Sequence, residues 1–291
     1  MKSPLQYYLP TWSAAYLQLM RINQPIGIWL LYWPSAWSIL LAPTDNTMHR
    51  YQMLAVFGIG AIIMRGAGCT YNDIIDKNLD GKVTRTALRP LPAGTVTTRA
   101  ALGFLIIQLL VGLIILWTLN PPTIFLGVAS LSLVFTYPFM KRITFWPQIW
   151  LGLTFNWGAL MGWTAVTGSL SITALLIYIA GFFWTIGYDT IYAHQDKEDD
   201  SLVGIKSSAL ALGKHTTFFL ALVYTLTIIM ICLAIGLQNL YWLNLCFITM
   251  ACCHCFWQIF SLNTEDPKNC LKRFQSNREL GILITLALIA S

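Results

Sequence analysis

Nine predominantly apolar stretches, most of them long enough to cross a lipid bilayer, decide what this chain can become. They fall near residues 26–43, 52–71, 100–118, 123–140, 149–167, 172–191, 217–237, 241–260 and 279–291, the last being short. A hydrocarbon core about 30 Å thick needs about 20 helical residues. Inside it, every backbone N–H and C=O must be paired within the protein, so only helices and closed barrels cross. The runs are continuous and lack period-two alternation, which argues against barrel strands. The expected fold is all-α: a polytopic membrane protein of about nine transmembrane helices. Residues Trp12 to Ile22 have mixed character and are expected at the interface before the first span. Met1 to Pro10 lack the apolar core of a signal peptide.

Composition supports this reading and excludes a soluble domain. Of the 291 residues, 56% are hydrophobic and only 10% charged, where a soluble domain carries about 25%. The net charge of +6 is explained by topology, and no nucleic-acid partner is expected. Lys2, Arg21, Lys77, Lys82, Arg85, Arg89, Arg99, Lys141, Arg142, Lys197, Lys206, Lys214, Lys268, Lys272, Arg273 and Arg278 all fall in alternate loops. Only Arg50 lies in the intervening loops and only Arg65 within a span. This asymmetry sets orientation through the positive-inside rule. It predicts a multi-pass protein of a bacterial-type inner (plasma) membrane, with the N-terminus and basic loops cytoplasmic. The opposite loops are short and poor in functional groups, so the chemistry belongs to the basic side.

Two acidic clusters land on that same side: Asn72-Asp73-Ile74-Ile75-Asp76-Lys77-Asn78-Leu79-Asp80 and Asp189-Thr190-Ile191-Tyr192-Ala193-His194-Gln195-Asp196. On a helix Asn72, Asp76 and Asp80 recur every four residues and share a face; Asp189 and Asp196, two turns apart, share another. So dense a negative field beside lipid is costly unless a cation resides there. Hard oxygen ligands on two stripes describe a site for a small divalent cation, Mg²⁺ carrying a phosphate. The plain alternative is a solvated helix end balanced by nearby lysines. Arg65 stands two turns deeper than Asn72, where a guanidinium should face a polar cavity and hold an anionic group such as a carboxylate. Arg85, Arg89, Lys141 and Arg142 follow helix ends on the basic side and can clamp phosphate oxygens; attraction to anionic headgroups competes as an explanation. For Lys268, Lys272, Arg273 and Arg278, topology alone suffices.

Other features read as structure. Adjacent residues of Cys252-Cys253-His254-Cys255 diverge by about 100° on a helix and do not converge on one metal. The glycines of Gly58/Gly60, Gly66/Gly68 and Gly158/Gly162 lie inside spans and are expected to let helices approach. His194 is expected in solvent. Trp157 and Trp184 lie within spans, where they are candidates for lining an apolar channel.

Several motifs in order carry a family likeness. They are Arg21-Ile22-Asn23-Gln24-Pro25-Ile26-Gly27, Met64-Arg65-Gly66-Ala67-Gly68-Cys69, the two aspartate clusters, Arg85-Thr86-Ala87-Leu88-Arg89-Pro90-Leu91-Pro92, Tyr137-Pro138-Phe139-Met140-Lys141-Arg142 and Gly204-Ile205-Lys206-Ser207. Over nearly its whole length the chain resembles the UbiA-type intramembrane aromatic prenyltransferases, most of all the branch acting on 4-hydroxybenzoate in ubiquinone synthesis. The resemblance implies one domain over residues 1–291, with helices around a central cavity open to lipid and loops 72–99 and 193–216 capping the active site. It implies Mg²⁺ on Asn72, Asp76, Asp189 and Asp196, with Asp73 and Asp80 nearby as further catalytic carboxylates. Arg85, Arg89 and Lys141 would contact the diphosphate of a polyprenyl diphosphate, Tyr137 would support Lys141, and Arg65 would hold the carboxylate of 4-hydroxybenzoate. The likeness departs at Ala193, where some relatives carry another aspartate. The rival readings are prenyl transfer to another quinone precursor, to haem or to a glycerol phosphate lipid, and a cation-coupled transporter. The last would require polar residues running through to the far side, where this chain is almost uniformly apolar.

Overall fold

The computed structural model describes residues 11–81, 86–198, 204–238 and 241–290. Among them the chain is helical, with no strand. The helices are α1 (Thr11–Leu19), α2 (Ile26–Leu41), α3 (Thr47–Asp80), α4 (Thr98–Trp117), α5 (Pro121–Ile143), α6 (Pro147–Phe155), α7 (Trp157–Thr167), α8 (Ile172–Ala193), α9 (Ser208–Leu212), α10 (Thr216–Gly236), α11 (Trp242–Phe260), α12 (Pro267–Gln275) and α13 (Asn277–Ile289). Six described helices are long and apolar enough to span a membrane, and α2 is apolar but only 16 residues long. The nine expected runs therefore all form helix, though not nine full-length spans.

The departures have local causes. The run at 149–167 divides at Asn156, whose amide Nδ2 donates to Gly152 O at 2.7 Å and to Thr185 Oγ1 at 2.8 Å. A side chain that competes for the i−4 carbonyl interrupts the helical ladder there. The second run extends instead. At 34 residues, α3 is about 50 Å long, so its last turns pass beyond the hydrocarbon and carry the first acidic cluster into the polar layer.

The chain divides into two compact units. The first holds the described residues up to Ile28 together with Gly58–Thr118; the second holds Trp29–Phe57 and the residues from Leu119 onward. In the first, Leu19, Leu91, Val96 and Ala101 form a buried cluster flanked by Tyr16, Ile74 and Phe104. In the second, α8 is packed on by α6, α7, α10 and α12, and α11 lies against α13. Side-chain caps start several helices: Thr97 for α4, Asn120 for α5, Ser171 for α8 and Asp266 for α12. Each supplies an oxygen to a backbone N–H that the helix cannot satisfy itself.

Close helix contact rests on only some of the expected glycines. A Cβ at Gly162 would stand 2.7 Å from the Ser35 carbonyl oxygen, and one at Gly158 would stand 3.1 Å from Ser35 Cβ. Gly66 packs under Gln108 and Met20. Gly60 and Gly68 face open space, so the close-approach reading fails for those two. Trp184 is fully buried and donates to Asn277 Oδ1 at 2.8 Å, which makes it a core residue rather than part of a channel wall. Trp157 donates to Leu126 O at 2.8 Å.

Candidate functional site

In the first unit the end of α3 turns Asp73, Asp76 and Asp80 inward, at 1%, 0% and 7% exposure. Asn72 is half-buried and Lys77 points out, with Nζ 3.2 Å from Thr98 Oγ1. The spacing of three and four residues is that of one helix face. Three carboxylates so placed need charge partners, since a buried unpaired carboxylate costs several kcal/mol. Two arginines supply them. Arg21 Nη2 lies 2.7 and 3.0 Å from the two oxygens of Asp73. Arg89 Nη1 lies 2.8 Å from Asp80 Oδ2 and 3.4 Å from Asp73 Oδ1.

Each arginine is held by the chain around it. α1 ends in a turn in which Arg21 N bonds Gln18 O at 3.0 Å and Ile22 N bonds Leu17 O at 3.2 Å. This puts Arg21 at φ 57, a left-handed conformation that costs about 1–2 kcal/mol for a residue with a Cβ. The guanidinium's Nη1 also donates to Gln18 O at 2.9 Å. Arg89 sits in a knot of turns. Arg89 N bonds Thr86 O at 2.9 Å, Ala93 N bonds Arg89 O at 3.0 Å, and the Thr86 hydroxyl donates to Asp80 O at 2.8 Å. The buried Leu91 and Val96 anchor that knot in the unit's core.

Arg21 is the residue the sequence reading missed as part of the site. The sequence assigns it to topology and to the Arg21–Gly27 motif without a role in the site, and that motif is the signal that points to it. Arg89, expected on the diphosphate, also bridges Asp73 and Asp80. Arg85 lies outside the described residues. Arg65 is half-buried, seven residues before Asn72 and therefore about 10 Å along the helix. Its guanidinium lies against Gly27, where any Cβ would collide with it.

In the second unit Asp189 stands half-buried near the end of α8, beside the buried Tyr188 and Thr190. Asp196 is not on the same regular helix: α8 stops at Ala193 and Asp196 closes a 3₁₀ turn. The tighter turn shifts it from the position that two α-helical turns would give. This end of α8 is held firmly. Thr190 and Ser208 share a hydrogen bond of 2.8 Å, and Tyr192 packs tilted against Phe274 with centroids 4.6 Å apart. His194 is buried, not solvated, with Nε2 2.9 Å from Thr216 Oγ1. The Thr216 hydroxyl donates to Gly213 O, so the imidazole Nε2 carries the proton toward it.

The basic end of α5 lies in the same unit. Tyr137 and Lys141 are half-buried; Arg142 is exposed, its guanidinium 5.9 Å over the Phe139 ring. The Gly204–Ser207 segment docks here, with Lys206 N bonding Lys141 O at 3.0 Å and Lys206 Nζ reaching Ile143 O at 3.0 Å. Among the described residues neither unit gathers three carboxylate, imidazole or thiol side chains onto one point. The Cys252–Cys255 run spreads around α11, as expected of adjacent helical residues.

The UbiA prenyltransferase family profile matches residues 31–283. This chain belongs to the UbiA prenyltransferase family. Relatives within the family extend the match. One from Drosophila melanogaster is 46% identical over 99% of this chain and 74% of its own length; one from Arabidopsis thaliana is 46% identical over 96% and 69%. One from Homo sapiens is 47% identical over 94% and 74%. All three are named 4-hydroxybenzoate polyprenyltransferase, mitochondrial. Those names overturn the expected bacterial-type inner membrane, and the cytoplasmic label for the basic side falls with it. A positive-inside count orders the loops but does not identify the membrane. The multi-pass character stands.

The fold agrees. An apo UbiA homolog from Aeropyrum pernix K1 superimposes with a TM-score of 0.75 over 91% of this chain and 97% of its own, at 23% identity. A UbiA homolog from Archaeoglobus fulgidus bound to GPP and Mg²⁺ gives 0.69 over 95% and 100%, at 20% identity.

Proposed function

We propose that this UbiA-family enzyme transfers a polyprenyl group from polyprenyl diphosphate to the ring carbon of 4-hydroxybenzoate ortho to the hydroxyl, in ubiquinone biosynthesis. The observation that carries the reading is 46% identity to a named 4-hydroxybenzoate polyprenyltransferase across 99% of the chain. The relatives' names, which include "mitochondrial", support a mitochondrial membrane as the setting, and a single family match over residues 31–283 supports one prenyltransferase domain.

In each unit we assign oxygen donors to Mg²⁺: Asn72 and Asp76 in the first, Asp189 and Asp196 in the second. Their chemistry fits: all are hard oxygen ligands, and Asp76 is fully buried. Bound there, the cation would neutralise diphosphate oxygens and make the diphosphate a better leaving group. Lys141 and Arg142, supported by Tyr137, would take part of the charge that builds as the allylic C–O bond breaks and its electron pair departs with the diphosphate. Asp73 and Asp80 hold Arg21 and Arg89, which keeps the end of α3 in place through the reaction. The allylic cation then bonds the ring carbon, and loss of that carbon's proton restores aromaticity. Arg65, braced against Gly27, would pair with the benzoate carboxylate and so favour an acceptor that carries one.

The test is incubation of membranes with labelled 4-hydroxybenzoate and prenyl diphosphates of several lengths, with and without EDTA. Prenylated product that vanishes with chelator and returns with Mg²⁺ supports the reading. Product formation unaffected by EDTA would remove the cation assignment.

A further inference from the structure

At the basic-side end of α11 the chain gathers cations that pair with no carboxylate among the described residues. The loop after α11 leads into α12, begun by Asp266, which accepts from Lys268 N at 2.9 Å, and by Pro267. Cys270 and Phe274 face inward, while Lys268 and Lys272, one turn apart, are exposed. Nearby acids are already engaged: Lys197 pairs with Glu265 at 3.5 Å, and Arg278 with Glu279. Among the described residues Lys268, Lys272 and Arg273 form no ion pair. The Arg273 guanidinium lies over the Trp257 ring, its Cζ 4.0 Å from the centroid, with Nε buried and without a hydrogen-bond acceptor. Stacking on the indole fixes the guanidinium before any anion arrives.

Below that guanidinium runs an exposed apolar stripe. Trp257, Cys253, Met250 and Cys246 are all exposed and stand at intervals of four, three and four residues, so they share one face of α11. From Cys246 to Trp257 the stripe rises through 11 residue steps, about 16 Å, about half the thickness of a hydrocarbon core. It is therefore one leaflet deep, with cations at its head and small or flexible side chains along its length.

We propose that α11 and α12 form a binding site for one anionic phospholipid of the basic-side leaflet. Its phosphate would pair with Arg273, flanked by Lys272 and Lys268, and one acyl chain would lie along Trp257, Cys253, Met250 and Cys246. Three unanswered cations favour an anionic lipid over a zwitterionic one, whose own ammonium would oppose them.

The test is native mass spectrometry of the purified full chain equilibrated with equal amounts of dioleoyl phosphatidylglycerol and dioleoyl phosphatidylcholine, with inorganic phosphate in a separate arm. The expected result is selective retention of phosphatidylglycerol. Arg273→Gln should lower that retention about tenfold, the worth of one charge-assisted contact. Met250→Gln should lower it through the stripe alone, and decides the matter if the Arg273 variant does not fold. Arg278→Gln, whose cation is already paired, should retain lipid as the wild type does. Equal retention of the two lipids, unchanged retention in both Arg273→Gln and Met250→Gln, or protection by inorganic phosphate as strong as by phosphatidylglycerol would each overturn the proposal.

Discussion

At the scale of single residues, the acids at the end of α3 divide by their surroundings. Asp73 and Asp80 are tied to Arg21 and Arg89, so removing either arginine is first a structural event. Arg21→Gln should lower stability by about 2–3 kcal/mol, because Asp73 is then left with Arg89 at 3.4 Å. Arg21→Gly loses the same pair but relaxes the left-handed backbone, and should recover about 1 kcal/mol of that deficit. Thermal unfolding in detergent should rank wild type above Arg21→Gly above Arg21→Gln. An unchanged midpoint for Arg21→Gln would show that the ion pair contributes nothing. Asp76→Ala and Asp189→Ala should behave differently, with prenyl transfer nearly abolished and the protein still inserted and folded. Wild-type turnover by either purified variant would refute its place on the cation. The sequence marked all of these carboxylates by spacing alone. It could not show which of them an arginine from 9, 16 or 52 residues away would claim, because ion pairing across loops leaves no local periodicity.

At the scale of helices, apolar length predicted where every span would form but not where it would stop. The run at 149–167 contains no proline or charge to announce a break; the interruption comes from the Asn156 amide reaching Gly152 O and, across to α8, Thr185. A partner on another helix made an ordinary polar residue into a boundary. Glycine was equally ambiguous in sequence, and the structure separates two kinds. Gly162→Ala should destabilise by about 1–3 kcal/mol, since the added Cβ would press on the Ser35 carbonyl, which is backbone and cannot rotate away. Gly68→Ala, in open space, should be neutral or up to about 1 kcal/mol stabilising through helix propensity. Melting both variants side by side tests the distinction, and equal midpoints would remove it.

At the scale of the whole molecule, the sequence made the all-α class legible, since it follows from sums over many residues, whereas the sidedness of the chemistry is an expectation drawn from the same kind of sum. Hydropathy and the distribution of sixteen of eighteen cations average over local detail. The identity of the membrane was not legible, because a charge count ranks one face against the other without reference to the compartment. The sidedness itself is testable with the intact protein. Arg50, the one cation expected on the far side, stands in the first turn of α3, half-buried, with its Nη2 donating to Ala42 O at 3.1 Å. In sealed vesicles with the basic loops enclosed, external trypsin should cut at Arg50 or not at all. In vesicles of the opposite orientation it should cut within the basic loops, at exposed sites such as Arg99, Lys268 and Lys272, and leave Arg50 intact. If fragments ending at Lys268 and at Arg50 arose together in a sealed, uniformly oriented preparation, the alternation of basic and neutral loops would not describe how the chain crosses the bilayer, and the two acidic helix ends would lose their common side.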